Sequence, residues 1–398
     1  MSELAERLAE LRRGGLHRRL RLIEGPQGPR VLLDGADVLL LCSNNYLGLA
    51  DHPKVRAAAA AAAERYGAGA GASRLISGTM SLHRTLEERL AEFEGTEAAL
   101  LFGSGYLANT GVVAALAGAG EVVFSDELNH ASIVDGCRLS RAETFVYRHR
   151  DVEHLDWGIR TASGRPRLIV TDGVFSMDGD VAPLPALVEV AKRHRCLLAV
   201  DEAHGTGALG PRGRGAVAAA GLEREVDVIV GTLGKALGGY GAYVCASAEI
   251  VEVLINTARP FIFSTAPPPP SAGAALAALA LLVERPGQVE QLRRNAAVLR
   301  EALAAHGLDT GSSRTQIMPV VVGDPRRALA LCERTLEAGV FAQAIRPPTV
   351  SAGGSRLRLT VMATHRAGEL RAAAAEIGRA ARQLGIVDEP PVGLAQAA

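Results

Sequence analysis

From about Ala98 to Cys245, short apolar runs alternate with helical patterns, and this alternation constrains the fold more than any other feature of the chain. The runs are Ala98 to Phe102, Glu121 to Phe124, Thr144 to Tyr147, Arg167 to Thr171, Cys196 to Val200, Asp227 to Gly231 and Ala242 to Cys245. Such runs, separated by helix-length segments, predict an α/β architecture: a mostly parallel sheet wrapped by helices. In sheets of this kind ligands gather at the carboxyl ends of the strands. Each run is followed at once by polar or glycine-rich residues, so the candidate chemistry clusters there.

With 398 residues, 48% of them hydrophobic, the chain can bury a large core and carry a smaller second domain. The proline run Pro267 to Pro270 opens a long alanine- and leucine-rich helix. Beyond Arg285-Pro286 the pattern changes to helices mixed with short strands at Met318 to Val322 and Arg356 to Val361. The expected division is an N-terminal helix and arm over 1–45, a large domain over 46–285, and a smaller C-terminal α+β domain over 286–398 whose tail after Asp388 is frayed.

Acidic and basic residues balance at 43 each, so no global field favours nucleic acid or an anionic membrane, and small molecules are the expected partners. The arginine-dense stretch from Arg12 to Arg21 contains one ring, His17, and runs into a turn at Gly25-Pro26. It reads as a solvated helix end with room for one functional arginine. Cys42, Cys137, Cys196, Cys245 and Cys332 are scattered, with no Cys-x-x-Cys pair. Reduced, mostly buried thiols are expected, with neither a disulfide framework nor a metal site. Leu4, Leu8 and Leu11 stand at helical spacing among glutamates, without the apolar centre of a signal peptide, and Ala272 to Val283 is too short to span a bilayer. The expected location is the cytoplasm, with no membrane partner.

The strand Asp227 to Gly231 delivers Lys235 to the tight turn Gly231-Thr232-Leu233-Gly234-Lys235-Ala236-Leu237-Gly238-Gly239. A lysine among small residues at a strand end suits a Schiff base with a pyridoxal cofactor, although on its own such a lysine is more often a solvated loop residue or a phosphate contact. The strand before Asp201 places a carboxylate at its terminus and His204 three residues on. An ionised aspartate keeps a pyridine nitrogen protonated, and an imidazole can bond the ring's phenolic oxygen; the plainer alternatives are a helix N-cap and a packed core histidine. After Phe102, the turn Gly103-Ser104-Gly105-Tyr106 opens an apolar helix whose first amides, those of Gly105 and Tyr106, can hold a phosphate. An ordinary strand-to-helix turn has the same letters. His130, in the loop after the next strand, can stack on a flat ring or simply lie on the surface.

Two nucleotide-binding readings are disfavoured. Gly67 to Ala72 has the letters of a dinucleotide-binding turn but follows a helical alanine run, which speaks against a dehydrogenase. Gly231 to Ala236 is too short for a P-loop, and Ala236 supplies no hydroxyl for magnesium.

These residues, with Ser43-Asn44-Asn45-Tyr46-Leu47-Gly48-Leu49 and Asp172-Gly173-Val174-Phe175-Ser176-Met177-Asp178-Gly179-Asp180, give the chain a resemblance to the α-oxoamine synthases from roughly Gly15 to Gly385. These are pyridoxal-phosphate enzymes that join an amino acid to an acyl thioester with decarboxylation. The resemblance implies a fold-type I aminotransferase-like architecture and the cofactor pyridoxal 5'-phosphate. It makes Lys235, His130 and Asp201 catalytic. Lys235 would hold the cofactor, His130 stack on its ring, Asp201 pair with its nitrogen, and Ser176 and His204 bond near its phenolic oxygen. Gly105, Tyr106 and Thr232 would take the phosphate, joined by Ser264 and Thr265 from the partner subunit of a homodimer with shared active sites. Arg358 matches the carboxylate-binding arginine, with Asn44 assisting. Arg18, with Arg19 one register away, and Thr349 match contacts to the acyl substrate, and His130 would also reach that substrate.

Three segments lean towards a member of the family that condenses L-alanine with a pimeloyl thioester in biotin biosynthesis: Gly238 to Cys245, Arg259 to Thr265, and Ala344 to Val350. The carrier, pimeloyl-CoA or pimeloyl-acyl carrier protein, is left open. Glycine C-acetyltransferase, 5-aminolevulinate synthase and serine palmitoyltransferase share the cofactor residues and are the alternatives.

Overall fold

The computed structural model describes residues 2–388, and the tail expected to fray, 389–398, lies outside them. The chain divides into two compact units, the larger comprising Leu49–Ser176 and Asp180–Val289. Among its described residues a seven-stranded sheet is built from β1 (Ala98–Phe102), β2 (Glu121–Asp126), β3 (Glu143–Tyr147), β4 (Arg165–Asp172), β5 (Leu197–Asp201), β6 (Val228–Thr232) and β7 (Ala242–Ala246), in spatial order β1-β7-β6-β5-β4-β2-β3. All seven apolar runs of the sequence became these strands. From β6 to β3 the neighbours are parallel, while β7 pairs antiparallel with both β1 and β6. Every residue of β6 and β7 is buried, as the continuous apolar runs require of strands covered on both faces.

Register fixes what shares an edge. Asp172 lies opposite Asp201, Asp201 opposite Val230, and Ala242 opposite both Thr232 and Phe102. The carboxyl ends of β1, β4, β5 and β6 therefore open onto one side of the sheet. Behind them the core packs Leu100, Val123, Leu168, Val230 and Val244 under the helix Gly105–Leu116. The helix Ala131–Ser140 approaches that helix at Gly136, where a Cβ would lie 3.1 Å from both the Asn109 carbonyl and Val113. The proline run starts the helix Pro269–Glu284, and no helix among the described residues is long and apolar enough to cross a membrane.

The smaller unit takes in the described parts of 1–48, 177–179 and 290–398. One antiparallel sheet orders its strands Ile317–Gly323, Ser355–Thr360 and Gln343–Ile345, the first two lying where the sequence pattern placed strands. A second sheet runs Ile23–Glu24, Arg30–Leu33, Ala36–Leu40 and Val340–Phe341. The N-terminal leucines do form a helix, Glu3–Arg13, capped by Ser2, but none of its residues is buried.

Candidate active site

Thr232 ends β6, and the turn after it is cross-braced. The Thr232 hydroxyl donates to the Gly241 carbonyl at 3.1 Å and accepts from the Gly234 amide at 3.2 Å. The Gly238 amide closes back onto the Lys235 carbonyl at 2.9 Å. Gly238 has φ +63°, and a Cβ there would sit 2.4 Å from the Ala50 amide nitrogen, so the turn depends on glycine. Its product is a half-buried Lys235 whose Nζ lies 2.8 Å from His204 Nε2.

His204 is itself buried on the loop after β5, and Asp201 ends that strand. One Asp201 oxygen accepts the Ala203 amide at 2.7 Å, and the other accepts Asn109 Nδ2 at 2.5 Å. Asn109 Nδ2 also donates to Ser132 Oγ at 2.9 Å, and Ser132 Oγ is 2.7 Å from His130 Nδ1. A continuous chain thus joins Asp201 to His130. His130 caps the helix Ala131–Ser140: its Nδ1 accepts the Ser132 amide at 3.2 Å, and its own amide donates to Asp172 at 2.8 Å. The outer edge of His130 is exposed, yet the protein packed around its ring lowers its pKa; Asp201 opposes that shift and Lys235 adds to it. The proton of the neutral ring then sits on Nε2, because Nδ1 is an acceptor. Burial, reinforced by the neighbouring Asp201 charge, pushes the Asp172 carboxyl well above the usual range.

The helix Gly105–Leu116 begins beside this cluster's scaffold, with Ser104 Oγ accepting the Leu107 amide at 3.2 Å. A Cβ built at Gly105 would meet nothing within 4 Å, so open space adjoins the first amides of that helix. Tyr106 is exposed, and its hydroxyl donates to Asp135 at 2.6 Å. Ser176 is buried in the loop after β4, which the Phe175 amide ties to the Asp180 carbonyl. Ser264 and Thr265 follow the helix Arg259–Ile262, and Thr265 bridges to Ser73.

In the smaller unit Arg358 is buried on the strand Ser355–Thr360 and donates to Asn44 Oδ1 at 3.3 Å, an oxygen that also accepts the Tyr46 hydroxyl at 3.2 Å. Burial pushes the Tyr46 pKa up, and Arg358 partly offsets this. Arg18 donates to the Pro347 carbonyl at 3.1 Å, next to the exposed turn that carries Thr349, whereas Arg19 faces Glu333 at 3.3 Å.

Three polar residues of the site were not singled out from the sequence: Asn109, Ser132 and Asp172. The available signals were an Asn109-Thr110 pair inside a largely apolar helix and, for Asp172, a carboxylate closing an apolar strand. Their partners came from neighbouring strands and helices, which no local pattern encodes. The sequence also holds three lysines, Lys54, Lys192 and Lys235. Lys54 and Lys192 are exposed and face Glu284 and Glu225 at 3.9 and 2.5 Å.

Residues 36–377 match the family model of aminotransferases of class I and II. An 8-amino-7-oxononanoate synthase of Geobacter sulfurreducens is 56% identical over 96% of this chain and 99% of its own. Among solved structures, a serine palmitoyltransferase with its PLP internal aldimine overlays with a TM-score of 0.92 at 34% identity, covering 97% of this chain and 98% of that one. An 8-amino-7-oxononanoate synthase from Francisella tularensis overlays at 0.76 with 27% identity, covering 87% and 98%. With the strand-end lysine, aspartate and histidines in one cluster and these matches across nearly its whole length, the chain belongs to the class I and II aminotransferase family.

Proposed function

We propose that this protein is a pyridoxal-phosphate-dependent acyltransferase that condenses L-alanine with a pimeloyl thioester, releasing carbon dioxide and the carrier thiol, to give 8-amino-7-oxononanoate for biotin biosynthesis. The reaction class rests on one observation: a strand-end lysine amine 2.8 Å from a buried histidine, on the sheet edge that also carries a hydrogen-bonded aspartate. The substrate rests on 56% identity to an 8-amino-7-oxononanoate synthase, against 34% to the serine palmitoyltransferase that overlays with a TM-score of 0.92.

The residues present fit the cofactor. Asp201 offers a carboxylate fixed by two donors for a protonated ring nitrogen, and the open space beside Gly105 suits a phosphate at a helix start. Lys235 would hold the cofactor's aldehyde carbon, with Ser176 and His204 near its phenolic oxygen, and Tyr106 and Thr232 at its phosphate. When bound, pyridoxal phosphate supplies a sink for the electron pair that the amino acid's α-carbon must carry.

The chain's own groups do the rest. Asn44 orients Arg358, whose guanidinium takes the carboxylate of alanine. The Lys235 amine, in its unprotonated form, would take the α-proton and later return one. His130, with Nδ1 held by Ser132, is left with Nε2–H to polarise the thioester carbonyl. Arg18 and Thr349 are assigned to the acyl substrate; the hydrogen bond of Arg18 to the loop of Thr349, while Arg19 faces Glu333, supports Arg18 over Arg19. The homodimer completed by Ser264 and Thr265, and the cytoplasmic location, belong to the same proposal, the latter supported by five free cysteines.

Product analysis tests the reading. Cofactor-loaded protein is offered L-alanine with pimeloyl thioester, glycine with acetyl- or succinyl-CoA, and L-serine with palmitoyl-CoA. Dominant 8-amino-7-oxononanoate is the expected result, and a product from glycine or serine alone would overturn the substrate assignment. Lys235→Ala is expected to abolish turnover while the protein still binds cofactor.

A further inference from the structure

The smaller unit contains a cavity of about 590 Å³ whose wall, among the described residues, carries Arg12, Arg18, Arg19, Arg21 and Arg346 but only one acid, Glu333. Two guanidiniums already share that acid, Arg19 at 3.3 Å and Arg21 at 2.7 Å, and Asp34 meets Arg21 at 3.0 Å. Arg18 and Arg346 lean on backbone carbonyls instead, those of Pro347 for the first and of Gly15 and His17 for the second. Arg346 is 5% exposed, and its buried Nε has no hydrogen-bond partner among the described residues. Burial, with the nearby Arg18 charge, lowers the Arg346 pKa.

Cations gathered without matching anions repel one another, and an unpaired buried N–H is costly; both are relieved by an anion that enters. A lone carboxylate brings one charge and two acceptors, too few for this wall. A phosphate ester brings more charge and more oxygens, in the geometry that guanidinium forks match.

We propose that this cavity takes the phosphate end of the pantetheine arm on which the acyl thioester is carried. The inference rests on the acyl-transfer reading above, which requires such an arm, and on Arg18, which that reading already assigns to the acyl substrate. The phosphate next to pantetheine is common to coenzyme A and to the prosthetic arm of a carrier protein.

Calorimetric titration of the full-length, cofactor-loaded protein with coenzyme A, 4'-phosphopantetheine and phosphate-free pantetheine tests it without any turnover. Arg12 and Arg19 are exposed, so the double variant Arg12→Gln/Arg19→Gln keeps the fold. It is expected to weaken coenzyme A at least about tenfold, as loss of charge-assisted bonds does, while changing pantetheine less than about twofold. Added salt weakens coenzyme A but not pantetheine. Equal affinity of phosphopantetheine and coenzyme A assigns the shared phosphate, and tighter coenzyme A adds its further phosphates to the same site. Failure of both phosphate ligands to bind, or equal losses for pantetheine and coenzyme A in the variant, overturns the proposal. Product analysis reads the reaction separately, so a wrong amino acid there leaves this result standing.

Discussion

At the residue scale the site depends on side chains that touch no reacting atom. Asn109 holds one oxygen of Asp201 and, through Ser132, the ring of His130. Asn109→Ala removes a hydrogen bond to a charged acceptor, worth roughly 1.5–3 kcal/mol, so turnover is expected to fall about tenfold or more and cofactor affinity with it. Steady-state rates and an absorbance titration of the cofactor check this, and unchanged values in both would remove Asn109 from the site. Gly231 is a second such residue. A Cβ there would lie 2.1 Å from the Tyr243 ring, whose hydroxyl bonds Glu94 at 2.7 Å and pairs with Thr206 at 3.1 Å. Gly231→Ala is expected to lower stability by about 1–3 kcal/mol, read by thermal unfolding. The lysine, aspartate and histidines were legible in the sequence because each follows an apolar strand. Tyr243 as the reason for Gly231 was not, since the two meet only through strand pairing.

At the scale of elements, His149 ties two loops of the larger unit together. Its ring nitrogens lie 2.9 Å from Asp126, at the end of β2, and 2.9 Å from Asp180, beyond the loop that carries Ser176. Phe175 packs edge-on at 4.4 Å, Arg150 shares Asp180 at 3.2 Å, and Glu127 accepts the His149 amide at 2.7 Å. Burial alone would lower the His149 pKa, but the two carboxylates outweigh it and raise it to about 9. The clamp therefore contributes its full stability below the unfolded value of about 6.5 and loses it as pH rises through about 9. The loss is on the order of 2–3 kcal/mol, and His149→Gln is expected to flatten the fall of the unfolding midpoint between pH 6.5 and about 9. An equally steep fall in the variant would contradict the clamp. The strands themselves were readable because continuous apolar runs suit a sheet buried on both faces. The hairpin Arg30–Leu33 to Ala36–Leu40 went unread although Asp34-Gly35, at φ 48° and 83°, is a strong turn signal. Its register on Val340–Phe341, some three hundred residues away, leaves no local trace.

At the scale of the whole molecule, buried acids add to the alkaline loss. Burial raises Glu94 to about 8 and Glu202 to about 7, so the folded state holds protons that the unfolded chain releases above about pH 4.5. Stability from these groups declines as pH climbs from there through about 7 and 8. Glu94→Gln, which keeps an acceptor for Tyr243, is expected to raise the unfolding midpoint at pH 9 more than at pH 6. No difference between the two pH values would place the titration elsewhere. The proposed shared site makes a further demand. Lys235→Ala mixed with Ser264→Asp/Thr265→Asp, each inactive alone, should recover up to about a quarter of wild-type activity after subunit exchange, because each mixed dimer of a two-fold pair regains one intact site. No recovery despite demonstrated exchange would mean that each chain builds its site alone. The central claim is that Lys235 is the amine that holds the cofactor, and a chain with three lysines makes this directly readable. Borohydride reduction of the cofactor-loaded protein followed by peptide mass mapping should find the pyridoxyl group on the Lys235 peptide alone; its appearance on Lys54 or Lys192, or on no lysine, would contradict the account.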